Sequence, residues 1–417
     1  MRGGRDSPFH DLPWSVLLPA LGLLVVGLLF VWSTTRHAAD PLWTRQLAFV
    51  GAGTLAGLVV LKVGVRQLAE LSWPVYLALG ALLLAMPLVA SSDSSGTVRW
   101  INLGFGFKLQ PSEFVKLGLV FVLARHLQHR GVTNTWRSYT GPFLLTLVPF
   151  FLVMRQPDLG SALVLLPIFM AMVTVSGARV RHVVLLTVSA LVLMPLAYFV
   201  PGVLREYQKE RIDAFLRPIP ALMADARELR QKRDHEAAQQ VEAHISELKR
   251  GTGRQQYYSV VAIGSGGLLG AGLGDGLQNK GNRVPVRHAD FIFCIVGEEW
   301  GLLGTTTVVA LYALLVSGIL GVAYRTREPF GRLVCVGVAA QLGGQALMNL
   351  GIASGMLPVT GVPLPLLSYG GSALIANLGA VGILLACARL EPQARTLAGR
   401  RKRRKSTRVT AVVPGRR

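Results

Sequence analysis

Residues 14–32 read WSVLLPALGLLVVGLLFVW, an uncharged run close to the roughly 20 apolar residues that carry a helix across a bilayer. The same kind of block recurs at Phe143–Val153, Leu159–Val175, Val183–Val200 and Ala373–Ala388. Of the 417 residues, 51% are hydrophobic, and the mean hydropathy is +0.46. Those values exclude an ordinary water-soluble domain. Lipid offers backbone amides no outside partner, so each block is expected to be a helix and the chain an all-α polytopic membrane protein. About ten transmembrane helices are expected, near 14–33, 43–61, 71–90, 112–130, 139–154, 159–176, 180–200, 290–318, 331–353 and 366–388. The first block is too long for a signal-peptide core and ends in Ser33-Thr34-Thr35-Arg36 with no cleavage pattern, so it is read as a retained span.

The formal net charge is +21, but 11 of the 43 Lys and Arg residues lie in the tail 389–417, including the run Arg400 to Lys405. A basic cluster directly after a last span is the expected cytoplasmic anchor beside anionic lipid. No aromatic residue interleaves it, so the stacking half of a nucleic-acid site is missing. Cys294, Cys335 and Cys387 all sit in apolar segments and read as inert core residues rather than disulfides or metal ligands.

Short loops set the orientation. With the N-terminus inside, Arg2, Arg5, Lys62, Arg66, Arg125, Arg130, Arg137, Arg179, Arg181, Arg325, Arg327 and Arg332 face the cytoplasm, against Arg36, Arg45, Arg99, Lys108 and Arg155 outside. This asymmetry puts both termini in the cytoplasm. The chain then divides into a membrane domain, 1–388, and a basic tail, 389–417. Within the first, a long extracytoplasmic loop, 201–289, joins spans 7 and 8. Its half from Arg205 to Arg250 carries 10 basic and 9 acidic residues. Leu222, Leu229, Ala237, Val241, Ile245 and Leu248 recur there near the helical period, which predicts an amphipathic helix or helical hairpin. No internal repeat of the kind found in many transporters is visible.

Ionisable groups at membrane depth are costly, so each demands a partner or a role. Four stretches concentrate them. Arg99 to Gly104, with Lys108-Leu109-Gln110-Pro111-Ser112-Glu113-Phe114-Val115-Lys116, places Glu113 and Lys116 one turn apart on a helix face, either as an internal ion pair or as substrate contacts. Arg155-Gln156-Pro157-Asp158-Leu159-Gly160-Ser161 is a polar break in which Asp158 would cap the next helix. Arg283 to Phe293 ends in Asp290 at the outer mouth of a span, with Glu298 and Glu299 deeper; Asp290 reads as a helix cap or as part of an anion-binding mouth. The fourth, Gly355 to Ser372, is so rich in Gly and Pro that its backbone must leave helix geometry. Such backbone is tolerated at that depth only when buried in protein or lining a cavity. Together these features describe an outward-facing cavity for an anionic amphiphile, belonging either to an enzyme or to a transporter.

The four stretches resemble the signature motifs of the SEDS family of peptidoglycan polymerases, which includes RodA, FtsW and SpoVE. Trp100-Ile-Asn-Leu-Gly with Gln110-Pro-Ser-Glu, Gln156-Pro-Asp-Leu-Gly, His288-x-Asp-Phe-Ile-Phe with Gly297-Glu-Glu-x-Gly, and Leu364-Pro-x-x-Ser-Tyr-Gly-Gly-Ser occur in the family's order between about Arg45 and Arg389. Gly361-Val-Pro-Leu-Pro and Arg287-His288 lean toward RodA. Val286 stands where the family carries Glu, Ala289 where it carries Thr, and an insertion of about 30 residues lies near 221–250.

The resemblance implies a glycosyltransferase of the bacterial cytoplasmic membrane that polymerises lipid II into glycan strands during elongation, beside a class B penicillin-binding transpeptidase. Asp290 would be its catalytic carboxylate. Arg45, Arg99, Lys108, Lys116, Arg155 and His288 would meet the substrate and its pyrophosphate, and Glu113, Asp158, Glu298 and Ser368 would complete the cavity. A divalent Mg or Mn ion could shield the pyrophosphate, although no ligand set is visible. The rival readings are a lipid II flippase, which needs the cavity without a proton acceptor, and the division-specific FtsW-type polymerase.

Overall fold

The computed structural model describes residues 12–36, 41–90, 99–104, 107–130, 136–156, 158–200, 206–250 and 253–389. Arg2, Arg5, Pro157 and the basic tail beyond Arg389 lie outside the described residues. The membrane helices are α1 (Trp14–Thr35), α2 (Leu42–Val89), α3 (Pro111–Arg130), α4 (Arg137–Arg155), α5 (Leu159–Val175), α6 (Val180–Phe199), α12 (Ile292–Arg325), α13 (Pro329–Ala353) and α14 (Gly371–Arg389). Between α6 and α12 lie α7 (Glu206–Leu216), α8 (Ile219–Gln231), α9 (His235–Arg250), α10 (Gly253–Ser265) and α11 (Leu277–Lys280). Two short strands, β1 (Ile101–Asn102) and β2 (Lys108–Leu109), pair antiparallel just before α3.

Among the described residues, six helices, namely α1, α2, α4, α12, α13 and α14, are long and apolar enough to cross a membrane, and α5 and a described part of α6 are shorter apolar helices. The expected spans 43–61 and 71–90 are two arms of α2, bent at Gly64, where φ is 79° and ψ is 163°. Glycine adopts that conformation without the steric cost a Cβ would bring. α3 carries Glu113 and Lys116 yet is buried along Val115–Ala124, as expected of a helix enclosed by others. Leu18 and Leu21 of α1, and Leu55 and Leu77 of α2, are 58–64% exposed. Apolar surface of that extent would be a liability in water and is the expected face toward acyl chains.

The bundle centre is α13, which packs on α12, α5 and α3, while α1 packs on α12. Small residues set these contacts, because backbones in lipid gain most by approaching closely. At Gly57 of α2 and Gly382 of α14, an added Cβ would strike the other helix's backbone, and at Gly337 of α13 it would meet Val120 and Met172.

The expected span 290–318 is corrected: α12 starts at Ile292, ends at Arg325 and breaks at Gly301, where φ is 61° and ψ is −151°. The Gly-rich loop after α10 lies against this break. Ala271 and Gly272 donate to the carbonyls of Glu298 and Glu299 (3.0 Å each), while Leu302 and Leu303 donate to those of Gly267 (2.9 Å) and Leu268 (3.2 Å). A non-helical backbone in lipid must be satisfied by protein, and here two irregular segments pair with each other. That pairing holds the short helix Ile292–Trp300 directly behind Asp290.

The expected amphipathic segment is the hairpin α8–α9. Ile219, Leu222, Ala226 and Ile245 form its own apolar cluster, with Tyr257 of α10 packed against it.

Candidate active site at the helix ends

Three of the four stretches meet at the start of α3. Ser372, at the head of α14, accepts the Gln110 backbone N–H and donates to the Lys108 carbonyl, both at 2.9 Å. Asp158 is 2% exposed and accepts from Gln110 Nε2 (2.8 Å), Ser112 Oγ (2.9 Å) and the Ser161 N–H (3.1 Å). It therefore caps α5, as its position predicts, and in addition ties α5 to α3.

The fourth stretch closes over Asp290. Asn349 Nδ2 reaches the carbonyls of Asp290 and Val362 at 2.6 Å each. Ser368 donates to the Ala289 carbonyl (2.6 Å) and accepts the Leu364 N–H (2.9 Å), and the Tyr369 N–H donates to the His288 carbonyl (2.9 Å). Gln46 Nε2 holds the Ser368 carbonyl at 3.1 Å. Three consecutive carbonyls, 288 to 290, are thus pinned, which leaves little freedom at the carboxylate they carry.

Asp290 itself caps nothing. The N-cap of α12 is Phe291, with no side-chain cap bond, so the cap reading is corrected. Among the described residues, no donor binds the Asp290 carboxylate. Its closest described surroundings include Gly361, whose missing Cβ would stand 3.6 Å from Oδ2. Desolvation pushes this carboxyl up to about 6, opposed by the Arg211 and Arg99 cations and reinforced by Asp158. A half-buried, rigidly placed, uncommitted carboxylate titrating near neutrality has the properties of a general base. Burial, with the charge of Arg287, holds the neighbouring His288 imidazole below its usual range, so at neutral pH it is an uncharged ring, set edge-on to Tyr369 at 5.6 Å.

The other expected site residues divide. Arg99 is brought within electrostatic range of Asp290 and keeps a buried Nε without a partner. Lys108 and Arg155 are exposed near the same corner, and Arg45 is half-buried. Lys116 and Glu113 pair at 2.8 Å with side chains 1% and 2% exposed, which is the internal ion pair of the two alternatives. Glu298 is corrected: it is 1% exposed, and its two oxygens accept the N–H groups of Gln278 (2.6 Å) and Asn279 (3.1 Å). It thereby holds the start of α11 rather than a substrate. Glu299 similarly takes Ser33 (2.7 Å) and Asn279 Nδ2 (2.6 Å). Among the described residues, no three His, Cys, Asp or Glu side chains converge as a metal-ligand set.

Two residues escaped sequence reasoning. Arg211, on α7, reaches the Val359 carbonyl at 3.3 Å, two residues from Gly361, and bears on Asp290. It was hidden among balanced charges. Asn349 had a usable signal, since Gln341, Gln345 and Asn349 recur every four residues within an apolar span, and buried amides there are exceptions that demand partners.

Residues 12–393 match the family profile FtsW/RodA/SpoVE, described as "Cell cycle protein". A "Probable peptidoglycan glycosyltransferase FtsW" of Geobacter metallireducens is 34% identical over 381 residues, 89% of this chain and 92% of that protein. "Peptidoglycan glycosyltransferase MrdB" of Escherichia coli K12 is 32% identical over 389 residues, 91% of this chain and 96% of the relative. A solved structure described as "Structural coordination of polymerization and crosslinking by a peptidoglycan synthase complex" superposes with a TM-score of 0.73 at 31% identity, covering 91% of this chain and 98% of that one.

Proposed function

Because the chain belongs to the FtsW/RodA/SpoVE family, we propose that it is a peptidoglycan glycosyltransferase that polymerises lipid II into glycan strands, with Asp290 as its base. The observation that carries the reading is the free, backbone-pinned carboxylate of Asp290 at the outer mouth of α12. In the reaction, Asp290 takes the proton of the acceptor sugar hydroxyl as its oxygen bonds to the anomeric carbon of the growing chain. The bond from that carbon to the lipid pyrophosphate breaks, and the pyrophosphate leaves with the electron pair. The leaving group is intrinsically good, so the chain's main tasks are to aim the hydroxyl and to neutralise charge. Arg99, Lys108, Arg155 and Arg45 supply cations for that purpose.

The working partner is a class B penicillin-binding transpeptidase, and the lean of Gly361-Val-Pro-Leu-Pro and Arg287-His288 toward RodA favours the elongation role over the division role. Purified chain plus that transpeptidase, given labelled lipid II in detergent, should yield long glycan strands on a gel. A flippase would yield none.

Counting the two arms of α2 and adding α3, α5 and α6 gives ten spans, with the termini in the cytoplasm of a bacterial cell and the α7–α11 region outside. Reporter fusions at Arg130, Arg327 and the C-terminus should read cytoplasmic and one at Ala237 extracytoplasmic. A cytoplasmic signal at Ala237 overturns this count.

The α8–α9 hairpin buries its apolar face largely within itself and against Tyr257 and contains none of the four motifs. Replacement of 221–249 by a short Gly/Ser linker should therefore leave a folded chain that still makes glycan. Loss of polymerisation in a well-folded deletion would show the hairpin to be part of the machinery.

A further inference from the structure

A glycan polymerase that joins two lipid-linked sugars must hold two pyrophosphates at once, of which only one leaves. The cations Arg99 and Lys108 belong to the first stretch, Arg155 to the second and Arg45 to α2. A separate polar cavity of about 270 Å³ opens between the outer end of α1 and the 274–287 loop, lined by Ser33, Thr34, Arg36, Asn279, Lys280 and Arg287, among others.

Its charges are incompletely compensated. Arg36 donates to the Gly274 carbonyl at 2.6 Å and lies 5.5 Å from the Trp32 ring. Arg287 donates to the Thr34 carbonyl at 3.1 Å and to Asn282 Oδ1, and its Nε is buried without a partner. Among the described residues, neither guanidinium forms an ion pair. Lys280 pairs with the exposed Asp275 at 2.8 Å, and the two buried carboxylates nearby are already engaged, Glu299 by Ser33 and Asn279 Nδ2 and Glu298 by the N–H groups of Gln278 and Asn279. Burial works against the charge of Arg287, and Glu299 only partly offsets this. A partly desolvated pair of guanidiniums held by neutral carbonyls is stabilised by an incoming anion. Planar, multiply donating heads suit phosphate oxygens in particular.

We propose that this cavity binds the pyrophosphate of the second lipid-linked substrate, so that Asp290, three residues beyond Arg287, works between two pyrophosphate sites. The inference rests on the polymerase reading above. It gives the loop Gly274–Arg287 a purpose that its packing alone does not require, and it explains why Glu298 and Glu299 are spent on α11 and Ser33: they hold the cavity's rim in shape.

The test uses the full chain in nanodiscs with a polyprenyl pyrophosphate as probe. Wild type and Asp290→Asn should each bind two equivalents, and Arg36→Gln/Lys280→Gln one, at an unchanged melting temperature. Loss of two charge-assisted contacts should raise the KM for lipid II about ten- to hundredfold, with kcat far less affected. Two equivalents retained by an active double variant, or an unchanged KM, would overturn the proposal alone. Saturation of the cavity by inorganic pyrophosphate as tightly as by the lipid form, or by phosphatidylglycerol in the disc, would overturn the lipid-pyrophosphate assignment. A wild-type protein that makes no glycan with its transpeptidase would sink the parent reading instead.

Discussion

Asp290→Asn should insert, fold and bind its transpeptidase and lipid II, yet lose about a hundredfold to ten-thousandfold of polymerisation rate, the range typical for removal of a positioned base. The folding half of this expectation follows from geometry. The carboxylate caps no helix, and the bonds that pin the segment run through the carbonyls of residues 288 to 290, which the amide leaves untouched. The stability change should stay within about 0.5 kcal/mol, as for a substitution that breaks no packing or hydrogen bond. The catalytic half follows from the amide's inability to accept a proton near neutrality. A pH profile gives an independent check. The base works unprotonated, and desolvation places its titration at about 6, so the rate should be flat above that pH and fall about tenfold per unit below it. Wild-type turnover by Asp290→Asn would move the search for the base to Asp158 or Glu113, both of which are already committed to other partners.

How far the sequence could lead depended on the range of the interaction concerned. Hydropathy blocks gave the helices, because in lipid each one satisfies its own backbone locally. The start of α12 was misplaced by two residues and its break missed, because the break at Gly301 is made by a loop some thirty residues earlier, whose N–H and carbonyl groups complete it. Nothing in the glycines of the run Gly264 to Gly274 says where it docks. Glu298 illustrates the same limit: two turns beyond Asp290 in the chain it looks like a site residue, whereas the α11 N–H groups that claim it arrive from the preceding loop. Arg36 was legible only as a loop charge, and Arg287 only as part of the basic mouth stretch before Asp290. That they share a cavity depends on how α1 ends against the 274–287 segment, a contact that neither stretch encodes alone.

The Lys116–Glu113 pair should give the largest stability effect in the chain. At 2.8 Å, with side chains 1% and 2% exposed, each charge is tolerable only because of the other, and Glu113 Oε2 is already buried without a partner. Lys116→Met leaves a carboxylate uncompensated in the bundle interior, where removal of one member of a buried pair typically costs about 3–5 kcal/mol. Glu113→Gln strands the ammonium and should cost a similar amount. The double variant Glu113→Gln/Lys116→Met removes both charges, so it should be far more stable than the sum of the singles, because the penalty of each single variant is mostly the charge it abandons. Melting temperatures of the three variants in detergent decide the matter. Strong non-additivity identifies the pair as internal scaffolding that keeps α3 closed on itself beneath the site. A Lys116→Met protein that melts like wild type and only raises the KM for lipid II would instead return this lysine to the substrate.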